Sequence, residues 1–484
     1  AYEILLMRML SIVQWHHFDY MVISLALLGY GASGTAIALG RNWLESRFRK
    51  AFAVCALLFS VTLAGCWALG QQIPFNALEV VWNPRELLLL GAMYLLFMVP
   101  FFFAAACIGL AFTFRSEMAG RIYLFDLFGA GAGAVLVIAL LFFLPAQHAL
   151  VLLSLLALSA ALIAGSGKVL RLSAIAWAAL LVAGLQSGLF DPAPSEFKSL
   201  SKSLQTTGSG VVTGRSSPLG LLTVVQSPTV PFRHAPGLSM ATRYTPPEQL
   251  AIFRDGDGMS VINRWSGNEP PPGYLGDMTS ALPYQLLDSP RVLILGAGAG
   301  SDVLQAIRHG ASYIDAVELD PNMTALLREE FAEFSGGLYA HPRVKLHHGE
   351  ARGFSARSDQ VYDLVQIGLL DSFAVSGSGV QSLNENYLYT TGAIRDYLRL
   401  LNPGGILAIT RWLKLPPRDS FKLVNTVATS LREGGVTDPG KRLAIIRGWN
   451  TVTLVVGNEA LSAGGISAVK NFAAPRSFDT VYYP

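Results

Sequence analysis

The stretch RVLILGAGAGSD, residues 291–302, decides the fold. RVLIL is an unbroken apolar run of strand length, the pattern of a strand covered on both faces. It enters GAGAG, where Gly296, Gly298 and Gly300 permit a sharp turn and let backbone N–H groups approach a ligand closely. Ser301 stands where a dinucleotide fingerprint places its third glycine, and SDVLQAIRHG (301–310) continues as a helix. Strand, glycine turn and helix in that order make a nucleotide cradle. The GxGxG alone is a weak signal, so its neighbours must carry the reading.

Downstream, strands alternate with helices. YIDAVELD (313–320), RVKLHHGE (343–350), YDLVQIGLL (362–370), GILAITRWL (405–413), RLAIIRGW (442–449) and TVTLVVGN (451–458) read as strands. SDVLQAIRHG, PNMTALLREEFAEF and NENYLYTTGAIRDYLRLL read as intervening helices. Such alternation predicts a parallel sheet with helices on both faces, a Rossmann-like α/β domain. Trp449 and Asn450 at the junction of the last two runs leave too few residues for a crossover, so these two strands form an antiparallel hairpin. That ending fits a methyltransferase-type sheet.

Two carboxylates fall at strand tips. Glu318 ends the second strand, 18 residues past Gly300, where an acid can accept both hydroxyls of a ribose. Glu350 ends the third, placed to accept from an adenine amino group. Three tips in register form a fairly specific adenosyl-binding signal. The plainer alternative is that Glu318 and Glu350 cap the helices that follow. His347 and His348 adjoin on a strand, point to opposite faces and cannot chelate one metal together. No metal site is expected.

Upstream of the sheet, VVTGRSSPLGLLTVVQSP (211–228) and LAIFRDGDGMSVINRW (250–265) are β-rich runs broken by Gly, Pro and Asp-Gly, and predict a small antiparallel sheet of hairpins. DPAPSEFKSLSKSLQTTGSG (191–210) is a linker rich in Pro, Ser and Gly. Before it the chain changes character. Stretches at roughly 18–40, 51–70, 87–112, 121–144, 148–165 and 172–189 are apolar enough to span a bilayer, which takes about 20 residues each. YEILLMRMLSIVQWHH, ahead of them, is an interfacial helix or the tail of a further span, and the latter reading is preferred. The domain boundaries are therefore 1–189 for a multi-pass α-helical membrane domain, 190–283 for linker and small β subdomain, 284–460 for the Rossmann-like domain, and 461–484 for a C-terminal extension.

Composition agrees. The 484 residues are 52% hydrophobic and only 14% charged, against about 25% charged in soluble domains. A net charge of +3 with no basic stripe excludes nucleic acid as the expected partner. Cys55, Cys66 and Cys107 lie in apolar runs and offer neither a disulfide framework nor a CxxC site. The chain opens at Ala1 without a methionine and stops at VYYP, so both ends read as trimmed. Arg41, Arg47, Arg49, Lys50, Arg115, Arg121, Lys168 and Arg171 flank one set of loops and Arg85 alone the other. The positive-inside rule then places the 41–50 loop in the cytoplasm and the later domain on the exoplasmic (periplasmic) side of an inner membrane, an assignment that one further span reverses. Within the spans, Gly129 and Gly133 in DLFGAGAGA (126–134) favour close helix approach. Asp126 reads as an interfacial partner of Arg121 rather than part of an ion path, and His16 and His17 as headgroup anchors rather than metal or haem ligands.

These residues resemble a family. SSPLGLLTVVQSP, VLILGAGAGSDVL, AVELDP, HHGEARGF, YDLVQIGLLDSF and NENYLYT look like polyamine aminopropyltransferases (spermidine synthases), in particular the membrane-fused spermidine synthase-like proteins, whose membrane part GRIYLFDLFGAGAG also resembles. The resemblance covers roughly 191–460 together with the spans. It implies that Gly296, Gly298, Gly300, Glu318 and Glu350 hold S-adenosylmethionine or its decarboxylated form, used as donor substrate. It also exposes departures. The family's GGGDGG carries an aspartate where Ala299 stands, and its fourth strand ends in an Asp-containing DSSD-like run where Gly368 stands, leaving only Asp371. The tyrosine of its YxE-like segment is shifted to Tyr274, with Asp277 at the acid.

Two functions follow. In the first, a membrane-anchored transferase alkylates an amine or other small acceptor near the bilayer, with Tyr274 and Asp277 on the substrate and Asp371 assisting as base. The plain reading of Asp371 is a turn or cap residue. In the second, the domain is catalytically lapsed and serves as a binding or assembly subunit of a larger membrane complex.

Overall fold

The computed structural model describes residues 1–14, 19–77, 79–370 and 387–484. His16, His17 and Asp371 lie outside the described residues. The chain divides into two compact units, one built on residues 1–202 and the other mainly on those after 222.

In the first unit, six helices among the described residues are long and apolar enough to cross a membrane: Met21–Leu39, Phe48–Gly70, Pro84–Phe114, Ser116–Leu141, Ala146–Ala164 and Lys168–Gln186. They coincide with the six apolar stretches. Their outward faces carry Phe125, Phe128, Ile163 and Ile175, all strongly exposed, as suits side chains that meet lipid rather than water. The interior is closed by small residues and by hydroxyls that bond between helices. A Cβ on Gly29 would stand 2.7 Å from Cβ of Phe101, so glycine sets how closely Met21–Leu39 approaches Pro84–Phe114. The Ser60 and Ser154 hydroxyls donate to each other's carbonyls at 2.7 and 2.9 Å, and Trp177 Nε1 donates to Ser60 Oγ at 3.1 Å, joining three helices. Tyr2–Val13 is a helix of 12 residues buried among the others. Gly129 meets nothing within 4 Å, and Asp126 is partly buried.

The second unit holds two sheets. The smaller has the order β1 (Gly210–Ser217), β2 (Gly220–Gln226), β3 (Gln249–Arg254), β4 (Asp257–Asn263), with β2–β3 and β3–β4 antiparallel. Leu222, Val224, Leu250, Ile252 and Ile262 all enter one core, as strand alternation requires. The larger sheet contains β5 (Arg291–Leu295), β6 (Tyr313–Glu318), β7 (Val344–His348), β8 (Tyr362–Ile367), β9 (Leu401–Trp412), β10 (Leu443–Arg447), β11 (Thr451–Gly457) and β12 (Asp479–Tyr482). Its order is β12-β10-β11-β9-β8-β5-β6-β7. Strands β5 to β9 pair in parallel, and β11 and β10 close as the expected antiparallel hairpin.

The unbroken apolar runs have a simple cause. Val292, Ile294 and Leu364 face one core, while Leu293, Leu295, Val365 and Ile367 face a second on the other side of the sheet. Residues 461–484, expected as an extension, instead complete this domain. The helix Ala463–Ala473 buries Val469, Phe472 and Ala473 in the first core, and β12 pairs with β10.

Both sheets meet at Asp320, the cap of the helix that opens with Pro321. Its Oδ1 accepts the Asn322 N–H at 3.0 Å and its Oδ2 pairs with Arg254 Nη1 of β3 at 2.7 Å, with the Asp320 side chain only 1% exposed. Removing the guanidinium would leave a buried carboxylate without its partner. Arg254→Ala is expected to lower stability by about 3 kcal/mol, measured as a shift in denaturant midpoint, whereas Arg254→Lys should recover part of the loss.

Candidate active site

The three glycines of the turn adopt left-handed backbone, with φ of 78° at Gly296, 52° at Gly298 and 85° at Gly300. A Cβ on Gly296 would strike Leu370 and one on Gly300 would strike Leu338, so both positions serve packing. Gly298 differs. A Cβ there would meet only the Gly296 carbonyl at 3.9 Å, and bare backbone faces open space.

Glu318 ends β6 beside it, 7% exposed. Its Oε2 accepts the Gly298 N–H at 2.8 Å and its Oε1 the Asp320 N–H at 2.9 Å, while Tyr339 donates to the Gly298 carbonyl at 2.7 Å. Each oxygen of this carboxylate therefore makes one bond and keeps capacity for a second. A carboxylate so held, next to an open glycine, fits a ribose diol. Glu350 is differently engaged. It is exposed, and its two oxygens accept the N–H groups of Arg352 and Gly353 at 2.9 and 2.6 Å, which is the helix-capping alternative.

Tyr274 is buried, and its hydroxyl donates to Asn263 Oδ1 at 2.8 Å; burial pushes its pKa up. Asn263 in turn donates to Ser301 Oγ at 3.2 Å, linking β4 to the start of the helix Ser301–Arg308. Asp277 is bound to Arg476 Nε at 2.9 Å and accepts the Thr242 hydroxyl at 2.7 Å, so it ties the C-terminal segment to a loop. His347 meets Asp315 at 2.7 Å within the sheet.

A further acid lies close to the glycine turn. Asp302 lies in the first turn of Ser301–Arg308, where acids commonly face solvent and complement the helix dipole. Instead it turns inward to the end of β8. Gln366 Nε2 donates to its Oδ1 at 2.9 Å, and the Tyr284 hydroxyl donates to Gln366 Oε1 at 2.5 Å. A Cβ on Gly368 would clash with its Oδ2, so any side chain at 368 would push the carboxylate from this position. Burial raises its pKa to about 6, moderated by the Gln366 bond.

With this geometry in view, the relatives can be placed. Residues 277–412 match the model of the spermine/spermidine synthase domain. The match takes in a little over a quarter of the chain, and there the sequence is similar to that domain. Similar proteins include polyamine aminopropyltransferases of Korarchaeum cryptofilum (29% identical over 122 residues, 25% of this chain and 35% of the relative) and Nitrosomonas europaea (25% over 175 residues, 35% and 51%). Polyamine aminopropyltransferase 2 of Pseudomonas aeruginosa is 31% identical over 125 residues, 25% of this chain and 34% of the relative. The chain thus spans between about a third and half of the length of these relatives. Among solved structures, a spermidine synthase from Thermotoga maritima is 14% identical with a TM-score of 0.36, covering 53% of this chain and 75% of that one.

The synthase domain match contains β5 to β9 and with them Glu318, Glu350, Asp302 and Gly368. Two sequence signals pointed to Asp302 without being joined: an acid directly after the glycine turn, and a glycine at the fourth tip. Only the fold brings them into contact.

Because folding raises the Asp302 pKa, the native state binds more protons than the unfolded chain between about pH 4 and 6. This group's contribution is most favourable below that window and is lost as pH rises through about 6. Asp302→Asn, which keeps the Gln366 bond, is therefore expected to raise stability at pH 7.5 by at most about 3 kcal/mol. The gain over wild type should vanish near pH 4 in the same denaturant titration.

Proposed function

We propose that the protein is a membrane-anchored transferase that uses S-adenosylmethionine or its decarboxylated form to alkylate an acceptor near the bilayer. The observation that carries this reading is Glu318, withdrawn from water at the tip of β6, oriented by two backbone N–H groups and set against the open backbone of Gly298. A sulfonium donor needs little activation. Its carbon–sulfur bond is already polarised, and the protein must mainly hold donor and nucleophile in line. In this role Glu318 accepts the ribose hydroxyls, and Glu350 borders the adenine with the oxygen capacity its cap bonds leave. Tyr274 acts through Asn263 and Ser301, bracing the turn.

The lapsed alternative draws on Ala299 and Gly368, which depart from the family's acids. Gly368 loses much of its weight, because a carboxylate from the neighbouring helix fills the space beside it. Orientation across the bilayer follows the Lys and Arg bias, with the synthase domain exoplasmic.

Calorimetry on the full-length chain in detergent, with each donor in turn, tests the reading. Binding is expected, and Glu318→Ala should weaken it by about 10- to 100-fold, the loss of charge-assisted hydrogen bonds. Absence of heat with both donors, or an unchanged Glu318→Ala, would leave the binding-module alternative standing.

A further inference from the structure

Asp302 occupies a special place in the sheet. Strand order reverses between β5 and β8, with β6 and β7 on one side and β9 on the other. In open parallel sheets the crevice at such a reversal, beyond the carboxyl ends of the strands, is where ligands bind. Asp302 follows the turn that ends β5, and its carboxylate reaches the residue that follows β8.

Its surroundings are selective. Oδ1 is fixed by Gln366, which Tyr284 holds in the orientation that points its amide N–H at the carboxylate. Gln305, also near Gln366, is engaged with the Leu275 carbonyl at 2.7 Å. Oδ2 accepts no hydrogen bond among the described residues. No Lys, Arg or His among those residues forms an ion pair with Asp302. The titratable groups that feel its charge are the phenols of Tyr274, Tyr284 and Tyr339, all shifted upward and so neutral. His309, stacked on Tyr284 at 4.9 Å, is pushed down to about 4 by burial and by Arg308 and Arg476, and so is neutral too. Among the described residues, an anion thus sits at the strand-order reversal with one oxygen anchored, the other accepting no hydrogen bond, and no counter-ion.

We propose that the missing cation is the acceptor: Oδ2 of Asp302 receives the ammonium group of an amine substrate and takes its proton before that nitrogen attacks the sulfonium-activated carbon. This rests on the donor reading given above and adds the residue that acts as base, which the strand-tip position at Gly368 does not supply. The step balances. A proton passes from R–NH3+ to the carboxylate, giving a neutral amine and a carboxylic acid. The nitrogen lone pair forms the new N–C bond as the C–S pair returns to sulfur, leaving a neutral thioether and a secondary ammonium. The proton on Asp302 then leaves to solvent. A carboxylate whose pKa has risen to about 6 is better matched to this transfer near neutral pH than an ordinary one. Gly368 is explained by the same geometry, since a side chain there and the Asp302 carboxylate exclude each other.

The test is titration calorimetry on the full-length protein in detergent, with 1,4-diaminobutane as amine probe and 5′-methylthioadenosine bound as the donor's thioether remnant. Wild type should bind the diamine more tightly as pH rises through about 6. Asp302→Asn should lose at least about tenfold in diamine affinity at pH 7.5 and lose the pH dependence, with methylthioadenosine affinity within about twofold of wild type. Equal diamine binding by Asp302→Asn, a flat wild-type pH profile, or no diamine binding to the wild-type complex overturns the proposal while leaving the donor reading intact. Failure of methylthioadenosine to bind wild type removes the donor reading and this proposal with it. The exchange variant Asp302→Ser/Gly368→Asp returns the carboxylate from the strand side. It should regain diamine binding that Asp302→Ser lacks, and a folded exchange variant that does not regain it also counts against Asp302.

Discussion

The second unit depends on one carboxylate held at a strand end. Glu318 accepts the N–H of Gly298 from the turn after β5 and the N–H of Asp320 from the turn after β6. The two adjacent turns are thereby locked to each other. A buried carboxylate is costly unless it is hydrogen-bonded, and here backbone donors from both loops supply the bonds. In the proposed function, stability and ligand recognition draw on this one arrangement, as where functional groups are held by their own supporting shell.

From that lock the rest follows in steps. Gly298 must be a glycine with nothing over it, because its backbone is shared between Glu318 and the space in front. Asp320, one residue beyond Leu319, caps the next helix and grips Arg254 of the smaller sheet. Tyr339 closes the turn from below through the Gly298 carbonyl. On the other side of β5, Gln366 and Gly368 shape a place for Asp302. The result is two carboxylates of opposite habit on either side of one turn. Glu318 is fully oriented by backbone; Asp302 has one oxygen bound and one free.

How much of this could be read beforehand varied with the range of the interaction. The strands were legible because each is apolar on both faces, and Val292–Leu295 shows why: alternate residues enter opposite cores. The hairpin of β10 and β11 was fixed by a connection too short for a crossover. The place of Glu318 at a strand end was legible from spacing alone. Which of the two alternatives Glu350 follows was not, because nothing local distinguishes a strand-end acid that caps the following helix, as its bonds to Arg352 and Gly353 do, from one that does not. Residues 461–484 carry a helix and an edge strand that only pairing with β10 reveals. Asp302 was hidden for a different reason. Its inward placement depends on the absence of a side chain 66 positions away, at Gly368, and no periodicity reports such a pairing.

The most direct measurement is a high-resolution structure of the full-length protein in lipid nanodiscs with S-adenosylmethionine. The account predicts the ribose hydroxyls within hydrogen-bond distance of both Glu318 oxygens, with the adenosine lying over Gly298. Adenosine bound elsewhere, or a Glu318 carboxylate that keeps its two backbone bonds and touches no ligand, would contradict it.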